Sequence, residues 1–592
     1  MSKRQPNQQT VDGQAQIGKL HHQKRTRPDV DSAVLQYGPS VAATLPILQR
    51  VHNERGFLDG EATGAVADAL GRSDAEVYGV ATFYSMLATQ RRARNVIRVC
   101  DGPVCALHGS CTVYGAIEND FASLDDWCVE RSSCLGLCDR APAALVNREP
   151  CGPVTGATCK AAVAQIADGW RGERTTYTKS LPGEQRVAMQ RLGLVDPTSI
   201  DSAETAGAYR CFLTALGQDA DSILDAVDQS GLRGLGGAGF PTGKKWRMVA
   251  QETRFPKYLI CNADESEPGT FKDRVLMEGD PHLLIEGMLL GAYAVRASQG
   301  VIYIRGEYAE ATDTLNTAVQ QARQRGMLGN DIRGSGFSFD IQVHIGAGAY
   351  ICGEETALLE SLEGRRGEPR LRPPFPATRG YLGYPTLVNN VETLCKIPAI
   401  VARGPAWYRS MGTPHSPGTK LMAITGHVNR PVVCEVPFGV SLRELIEKFG
   451  GGIRSGAKFK MALTGGAAGT IVPESLLDIP LDYNSHDAGV AIGSGAVIVM
   501  DDTVAVVQLL HWLLKFFEVE SCGKCTPCRQ GTRHARSIVE QILNGHFGAN
   551  HCDELARLAH MLGATSLCGL GQSVAWPIES AFRHFREEFL CE

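Results

Sequence analysis

At 592 residues the chain is too long for one hydrophobic core, so several domains are expected. With 43% hydrophobic and 21% charged residues and a formal net charge of -5, it has neither the basicity of a nucleic-acid binder nor an acidic tail. The most apolar stretches, 283–295 and 504–517, are short and interrupted by Glu286 or by His511 and Lys515, which argues against a membrane span. No apolar signal-peptide core opens the chain, so a cytoplasmic setting is expected.

Residues 1–30 are a polar run carrying Lys3, Arg4, Lys19, Lys24, Arg25 and Arg27 and read as a disordered basic arm. From 31 to 172, helical patterns at 43–52 and 75–89 lead into an alternating strand, Val96–Val99, that ends on Cys100. A small α/β domain follows and closes with a helix at 158–170. The stretch 173–205, with Pro182, Gly183 and Pro197, reads as a linker. Residues 206–415 alternate helices with short buried strands at 258–262, 301–305 and 339–345, as an α/β cofactor domain does. Residues 416–500 carry strand-like runs at 420–425, 431–437 and 494–500 around a helix at 441–449, a compact α+β insert. Residues 501–592 are helical in pattern and read as a small bundle.

Nineteen cysteines without a secretion signal suggest cluster or metal ligation before disulfides. Cys522, Cys525 and Cys528 recur every three residues, so one turn of backbone directs three thiols at one inorganic cluster. The fourth ligand of a 4Fe-4S cube then comes from elsewhere, and Cys568 is the candidate. Zinc prefers paired CxxC or Cys/His sets and fits a run of three poorly. Lys524 and Arg529 place positive charge near these sulfurs, which raises a cluster's potential. Near the N-terminus, Cys100 and Cys105 form one pair, and Cys134 and Cys138 a second. Two such pairs can grip a 2Fe-2S rhomb, one pair per iron, with a four-thiol zinc knuckle as the competing reading. Cys111 reads as a packed thiol.

Three further segments suit a nucleotide. In 231–246, Gly234, Gly236 and Gly239 satisfy GxGxxG, but 219–230 looks helical, so the strand that a Rossmann fingerprint requires is missing. A run without side chains still lets backbone N–H groups approach a phosphate or a flat ring. An acidic loop, Asn262–Thr270, follows the strand Tyr258–Cys261; by composition alone it reads as a solvated turn. The segment Gly346–Glu355 follows a strand and opens a helix, where a ligand phosphate or flavin edge could sit.

The runs GLRGLGGAGFPTGKKW, CNADESEPGTFKDR, GAGAYICGEETALLESLEGRRG, RPPFP, PTLVNNVET and ESCGKCTPCRQGT together make the chain resemble the flavoprotein subunit of respiratory complex I. In this chain it is fused behind a thioredoxin-like 2Fe-2S subunit, and the resemblance spans roughly residues 40–590. It implies a multidomain α/β protein: a thioredoxin-like 2Fe-2S domain, a Rossmann-like FMN/NADH domain, a β-grasp-like insert and a C-terminal four-helix bundle with a 4Fe-4S cluster. FMN would be held by Gly234, Gly236, Gly237, Lys245, Asn262, Asp264, Glu265, Tyr350, Gly353, Glu354, Asn389 and Asn390. The nicotinamide of NADH would stack on the flavin and its adenine lie near Phe240 and Phe375, with Glu267, Glu355 and Arg372 around ribose and phosphates. Met248 stands where an aromatic is common, and Arg372 where lysine is common.

Because flavin mediates between a two-electron hydride and one-electron clusters, the resemblance implies no general acid or nucleophile. If Glu267 or Glu355 lies by the adenine ribose without a compensating arginine, NADH is preferred over NADPH. Fused relatives of this kind are beta subunits of NAD-dependent formate dehydrogenases or diaphorase subunits of NAD-reducing hydrogenases. Leu235, where many relatives have arginine, and LTGGAAGTIVPESLLDIPLDY look more like the formate dehydrogenase branch. No molybdenum, tungsten or nickel-iron pattern occurs, so a catalytic alpha subunit bearing a molybdenum or tungsten site and further clusters, or hydrogenase subunits, would handle the terminal substrate. An electron-bridging subunit without nucleotide turnover and a zinc-stabilised scaffold are the rival readings.

Overall fold

The computed structural model describes residues 25–166, 168–172, 180–546 and 548–590. Three sheets organise the chain. The first, β1 (Asn95–Cys100), β2 (Trp127–Ser132), β3 (Ala144–Val146) and β4 (Glu149–Cys151), runs in the order β2-β1-β3-β4. Its β1–β2 pair is parallel and the others antiparallel. The helices Ser110–Phe121 and Gly156–Ile166 cover it through Ile117, Phe121, Cys159 and Ala162.

The second sheet is the scaffold of the nucleotide region: β5 (Tyr258–Ala263), β6 (Gln299–Ile304), β7 (Asp340–Ile345) and β8 (Thr386–Asn390), all parallel, in the order β7-β6-β5-β8. Both faces are covered, as a parallel sheet requires. Leu259, Cys261, Ile302 and Leu387 point into a core shared with the helices Pro281–Val295 and Val391–Arg403. Ile260, Val301, Tyr303 and Val388 point the other way, against Leu358 and Leu362 and against Leu45, Leu48 and Val66 of the N-terminal helices. Those helices thus share a core with the second sheet, while β1–β4 form small clusters of their own.

The third sheet comprises β9 (Thr419–Gly426), β10 (Val432–Pro437), β11 (Phe459–Thr464), β12 (Thr470–Pro473) and β13 (Ala496–Asp501), in the order β10-β9-β13-β11-β12. Only β9 and β13 pair in parallel. Strands β11 and β12 escaped the sequence reading because glycine-rich turns at 465–469 hide the alternation. Four longer helices, Val506–Glu520, Thr526–Leu543, Ala549–Thr565 and Ala575–Phe585, and a short one, Gly569–Ser573, complete the described chain.

Two expectations change. Of the basic arm, residues 1–24 lie outside the described residues, but Arg25 pairs with Asp68 at 2.9 Å and Asp74 at 2.6 Å, and a helix begins at Pro28. Of the expected linker, 173–179 lie outside the described residues, while the remainder is packed. Glu435 accepts the backbone N–H groups of Val187, Ala188 and Met189 at 2.8, 3.2 and 2.9 Å, and Arg191 makes a bidentate pair with buried Asp280. Among the described residues no helix is long and apolar enough to cross a membrane.

Candidate functional site

The glycine loop 231–241 follows the helix Ala220–Ser230 and opens the helix Thr242–Gln251, so the missing Rossmann strand is absent in fact. The opening turn has no side-chain cap and carries Lys244 and Lys245, an N-terminus suited to a phosphate. A Cβ on Gly236 would lie 3.1 Å from Asn390 Cβ, a tight contact that glycine avoids where this loop approaches β8. Between the loop and the C-terminal ends of β5 and β8 lies a cleft of about 650 Å³. Ligands of open α/β sheets bind at this place, outside the carboxyl ends of the strands.

Of the residues expected around FMN and NADH, Gly234, Gly236, Gly237, Phe240, Lys245, Asn262, Gly353, Glu354, Glu355, Arg372, Phe375, Asn389 and Asn390 line this cleft. Phe240 and Phe375 are exposed at its edge, as is Met248. Asp264, Glu265, Glu267 and Tyr350 do not line it. Asp264 lies beneath Gly353, with its buried Oδ2 unpartnered and the carboxyl driven well above its usual range by burial. Glu265 accepts the N–H groups of Asp273 and Arg274 at 2.7 and 3.0 Å. Glu267 is turned away to Tyr350 Oη and the Ala468 N–H, and burial pushes it up to about 7. Glu355 does face the cleft, but Lys245 at 3.3 Å and Arg372 at 3.5 Å supply the cations whose absence the expected discrimination against a 2'-phosphate required.

The helix Glu355–Leu362 is capped by Glu354, which accepts from Thr356 and Ala357 N–H at 2.9 Å each, while Gly353, Glu354 and Glu355 line the cleft. Residues that sequence reading left unassigned hold the site in place. Trp246 Nε1 donates to Asn389 Oδ1 at 2.8 Å, and Asp273 accepts from Asn390 Nδ2 at 2.6 Å. Both stand inside the quoted motifs, one residue after Lys245 and within FKDR, so adjacency was the available signal.

Cys522, Cys525, Cys528 and Cys568 line one hollow, closed by Ile351, Pro369, Leu567 and Leu570. The backbone N–H groups of Leu570 and Gly571 point at the Cys568 sulfur, yet burial still raises that thiol to about 11. A Cβ on Gly571 would meet Ser566 Oγ at 2.5 Å, so the turn that brings Cys568 to its partners needs glycine. Lys524 is committed to the Pro369 carbonyl at 2.7 Å. Gly569, next to Cys568, lines the flavin cleft.

Cys100 closes β1, Cys105 lies in the short helix Pro103–Leu107, and Cys134 and Cys138 stand on the loop after β2; all four are buried. The sulfurs of Cys134 and Cys138 are 3.6 Å apart. Hydrogen bonds from Cys100 and Cys138 drive Cys134 well below the usual thiol range; Cys100 is held well above it by its bonds with Cys105 and Cys134, and Cys138 by its bond with Cys134. The loop is clamped from outside. Arg305 donates to the Cys134 carbonyl and, at 2.8 Å, to that of Glu265; Arg274 donates to the Gly136 carbonyl at 3.0 Å, and Thr425 to that of Cys138 at 2.8 Å. Cys111, expected as a packed thiol, is exposed. Among the described residues no three or more His, Cys, Asp or Glu side chains form a site for a single metal ion.

Comparison with known proteins agrees with this layout. Residues 30–167 match the Thioredoxin-like [2Fe-2S] ferredoxin, 227–399 the Nuo51 FMN-binding domain, 421–470 the SLBB domain and 508–592 the NADH-ubiquinone oxidoreductase-F iron-sulfur binding region. An F subunit of the NADH-quinone oxidoreductase of Rhizobium meliloti is 46% identical over 407 residues, which is 68% of this chain and 97% of that protein. This chain belongs to the family of NADH-quinone oxidoreductase F subunits. The HndC subunit of the NADP-reducing hydrogenase of Solidesulfovibrio fructosivorans is 44% identical over 416 residues, 70% of this chain and 84% of that one. A chain from the crystal structure of an NAD+-reducing [NiFe]-hydrogenase in the H2-reduced state superposes with a TM-score of 0.82 at 34% identity, covering 93% of this chain and 92% of its own.

The family member is thus an NAD-dependent flavin and iron-sulfur oxidoreductase subunit of the diaphorase type, with FMN, a 2Fe-2S and a 4Fe-4S cluster as cofactors. The residues present fit those groups. The cleft offers a glycine cradle and an uncapped, lysine-bearing helix start, and beneath it lies an acceptor without a partner; each cluster has four thiols.

Proposed function

We propose that the chain passes electrons between NADH and a partner subunit, with NADH and FMN in the 650 Å³ cleft and the two cysteine sets as the one-electron stations. One observation carries this reading: cleft and C-terminal cysteine hollow share two segments of the chain. Cys568 and Ile351 belong to the hollow, and their near neighbours Gly569 and Gly353 to the cleft. FMN, when bound, supplies the exchange between a two-electron hydride and single electrons. The chain's part is positioning. Lys245 and Arg372 place positive charge beside a bound dinucleotide, Phe240 and Phe375 offer aromatic faces to its adenine, and Asn389 and Asn390 fix polar atoms at the end of β8. Arg305 bridges the acidic loop at Glu265 to Cys134, which sets the N-terminal cluster close to the cleft's underside as a side branch or relay.

For the terminal substrate we favour formate. The chain would be the cytoplasmic beta subunit of an NAD-linked formate dehydrogenase whose alpha subunit carries molybdenum or tungsten and further clusters. Leu235 and the segment 463–483 support this branch. A hydrogenase diaphorase is the second reading, favoured by the superposition over 93% of the chain. Anaerobic purification of the native complex tests both. Molybdenum or tungsten with formate-driven NAD reduction supports the first; nickel with dihydrogen-driven reduction replaces it by the second. A preparation without NADH-driven reduction of an artificial acceptor removes both and leaves a bridging subunit.

A further inference from the structure

A line of buried charge runs from the flavin cleft into the five-stranded insert. At the cleft, Asn390 donates to Asp273 Oδ2, and Asp273 Oδ1 lies 2.6 Å from Lys272 Nζ. Lys272 lies 3.0 Å from Glu392, which also receives Lys420 of β9 at 2.6 Å and the Leu421 N–H at 2.8 Å. Lys396 stands between Glu392 at 3.4 Å and Glu435 of β10 at 3.2 Å. All six charged side chains are at most 3% exposed. Charges at that depth persist only when each is paired, and here three lysines face Asp273, Glu392 and Glu435. Together the lysines hold the Glu392 carboxyl down to about 2.

The line has a consequence at the cleft wall. Asn390 donates one amide N–H to Asp273 at 2.6 Å, and its oxygen caps the following helix by accepting the Thr393 N–H at 3.4 Å, so the amide is held at both ends. Asn389 is held through its oxygen, which accepts from Trp246. Of the two, Asn390 is the one tied to the insert, through Asp273, Lys272, Glu392 and Lys420.

We propose that this buried line is a positioning device for the flavin. Through Asn390 it fixes an amide at the cleft wall, and it makes FMN affinity and flavin reduction potential depend on Lys420, a residue of the insert rather than of the flavin domain. The proposal rests on the reading of this cleft as the FMN site.

The test uses the full chain with its cofactors and the variants Lys420→Met, Lys420→Arg and Asn390→Ala. The FMN dissociation constant and the flavin midpoint potential are measured, with thermal melting and iron content as controls. Lys420→Met is expected to weaken FMN about tenfold, the scale of one well-placed hydrogen bond, and to lower the flavin potential, because Glu392 is left under-compensated. Lys420→Arg, which keeps the charge, restores both toward wild type. If Lys420→Met does not fold, Asp273→Asn serves instead and is expected to weaken FMN while raising the potential. Wild-type affinity and potential in the folded charge variant, alongside weakened FMN in Asn390→Ala, overturn the proposal and leave the cleft assignment standing. Unchanged FMN binding in Asn390→Ala overturns both.

Discussion

The two cysteine sites use the same ligand and are held in opposite ways. The C-terminal set draws three thiols from one turn and the fourth from a nearby loop, and Cys522 and Cys525 stay partly exposed. The N-terminal set is wholly buried, and its loop is fastened by Arg274 and Arg305 of the flavin domain and Thr425 of the insert. A site whose thiols come from its own domain depends on its own turn geometry. A site clamped by other domains depends on their docking.

The comparison is broken most forcefully at Cys568. Cys568→Ser removes the ligand that completes the C-terminal set, so iron should fall to the content of the N-terminal cluster alone and NADH-driven electron delivery should be lost. EPR and iron analysis would check this, and retention of both cluster signals would contradict it. Next is Arg305→Met. It leaves Glu307, 2.8 Å from the guanidinium, and the buried Cys134 carbonyl unpaired, an effect of about 3–5 kcal/mol by analogy with broken buried pairs. Chemical denaturation should show an early loss of the N-terminal cluster's spectrum, with the C-terminal cluster retained longer.

Glu267 tests the ground between the sites, since it touches Tyr350, whose N–H donates to Glu520 beside Cys522. Its folded carboxyl holds its proton up to about 7, against 4.5 for the ordinary group. Between those values the folded chain binds more protons than the unfolded one, so this carboxyl's contribution to stability is complete below about 4.5 and is lost as pH rises through 7. The effect is at most about 3 kcal/mol. Glu267→Gln should therefore gain stability relative to wild type between pH 5 and pH 8, measured as a difference in denaturant midpoints; a constant difference would contradict the assignment. The smallest effect is expected at Lys524→Ala. The ammonium is half-exposed and tied to the Pro369 carbonyl, so the C-terminal cluster's midpoint should fall only slightly. No shift would show that Lys524 does not tune the cluster.

Legibility in the sequence followed the same division. The spacing of Cys522, Cys525 and Cys528 is local, so the chain displayed it directly, and the glycine loop displayed its own closeness to a ligand. The clamp on Cys134 was not legible, because Arg305 stands 171 positions away and looks like any cation after a buried strand. The partners of Glu267 were hidden for a related reason. Its loop does run under the cleft, but the side chain turns toward Ala468 in a domain that the local pattern does not reveal. The expected linker failed likewise: Pro182, Gly183 and Pro197 signal irregular backbone, and nothing local shows that Glu435 binds it down.

The most direct measurement is an anaerobic NADH titration of the reconstituted chain, followed by visible absorption and EPR, beside the Cys568→Ser variant. Bleaching of bound flavin with reduction of the C-terminal cluster in wild type, and loss of that cluster's signal alone in the variant, is the predicted outcome. A wild-type sample that holds neither flavin nor acid-labile sulfide, or whose flavin NADH leaves oxidised, would contradict it.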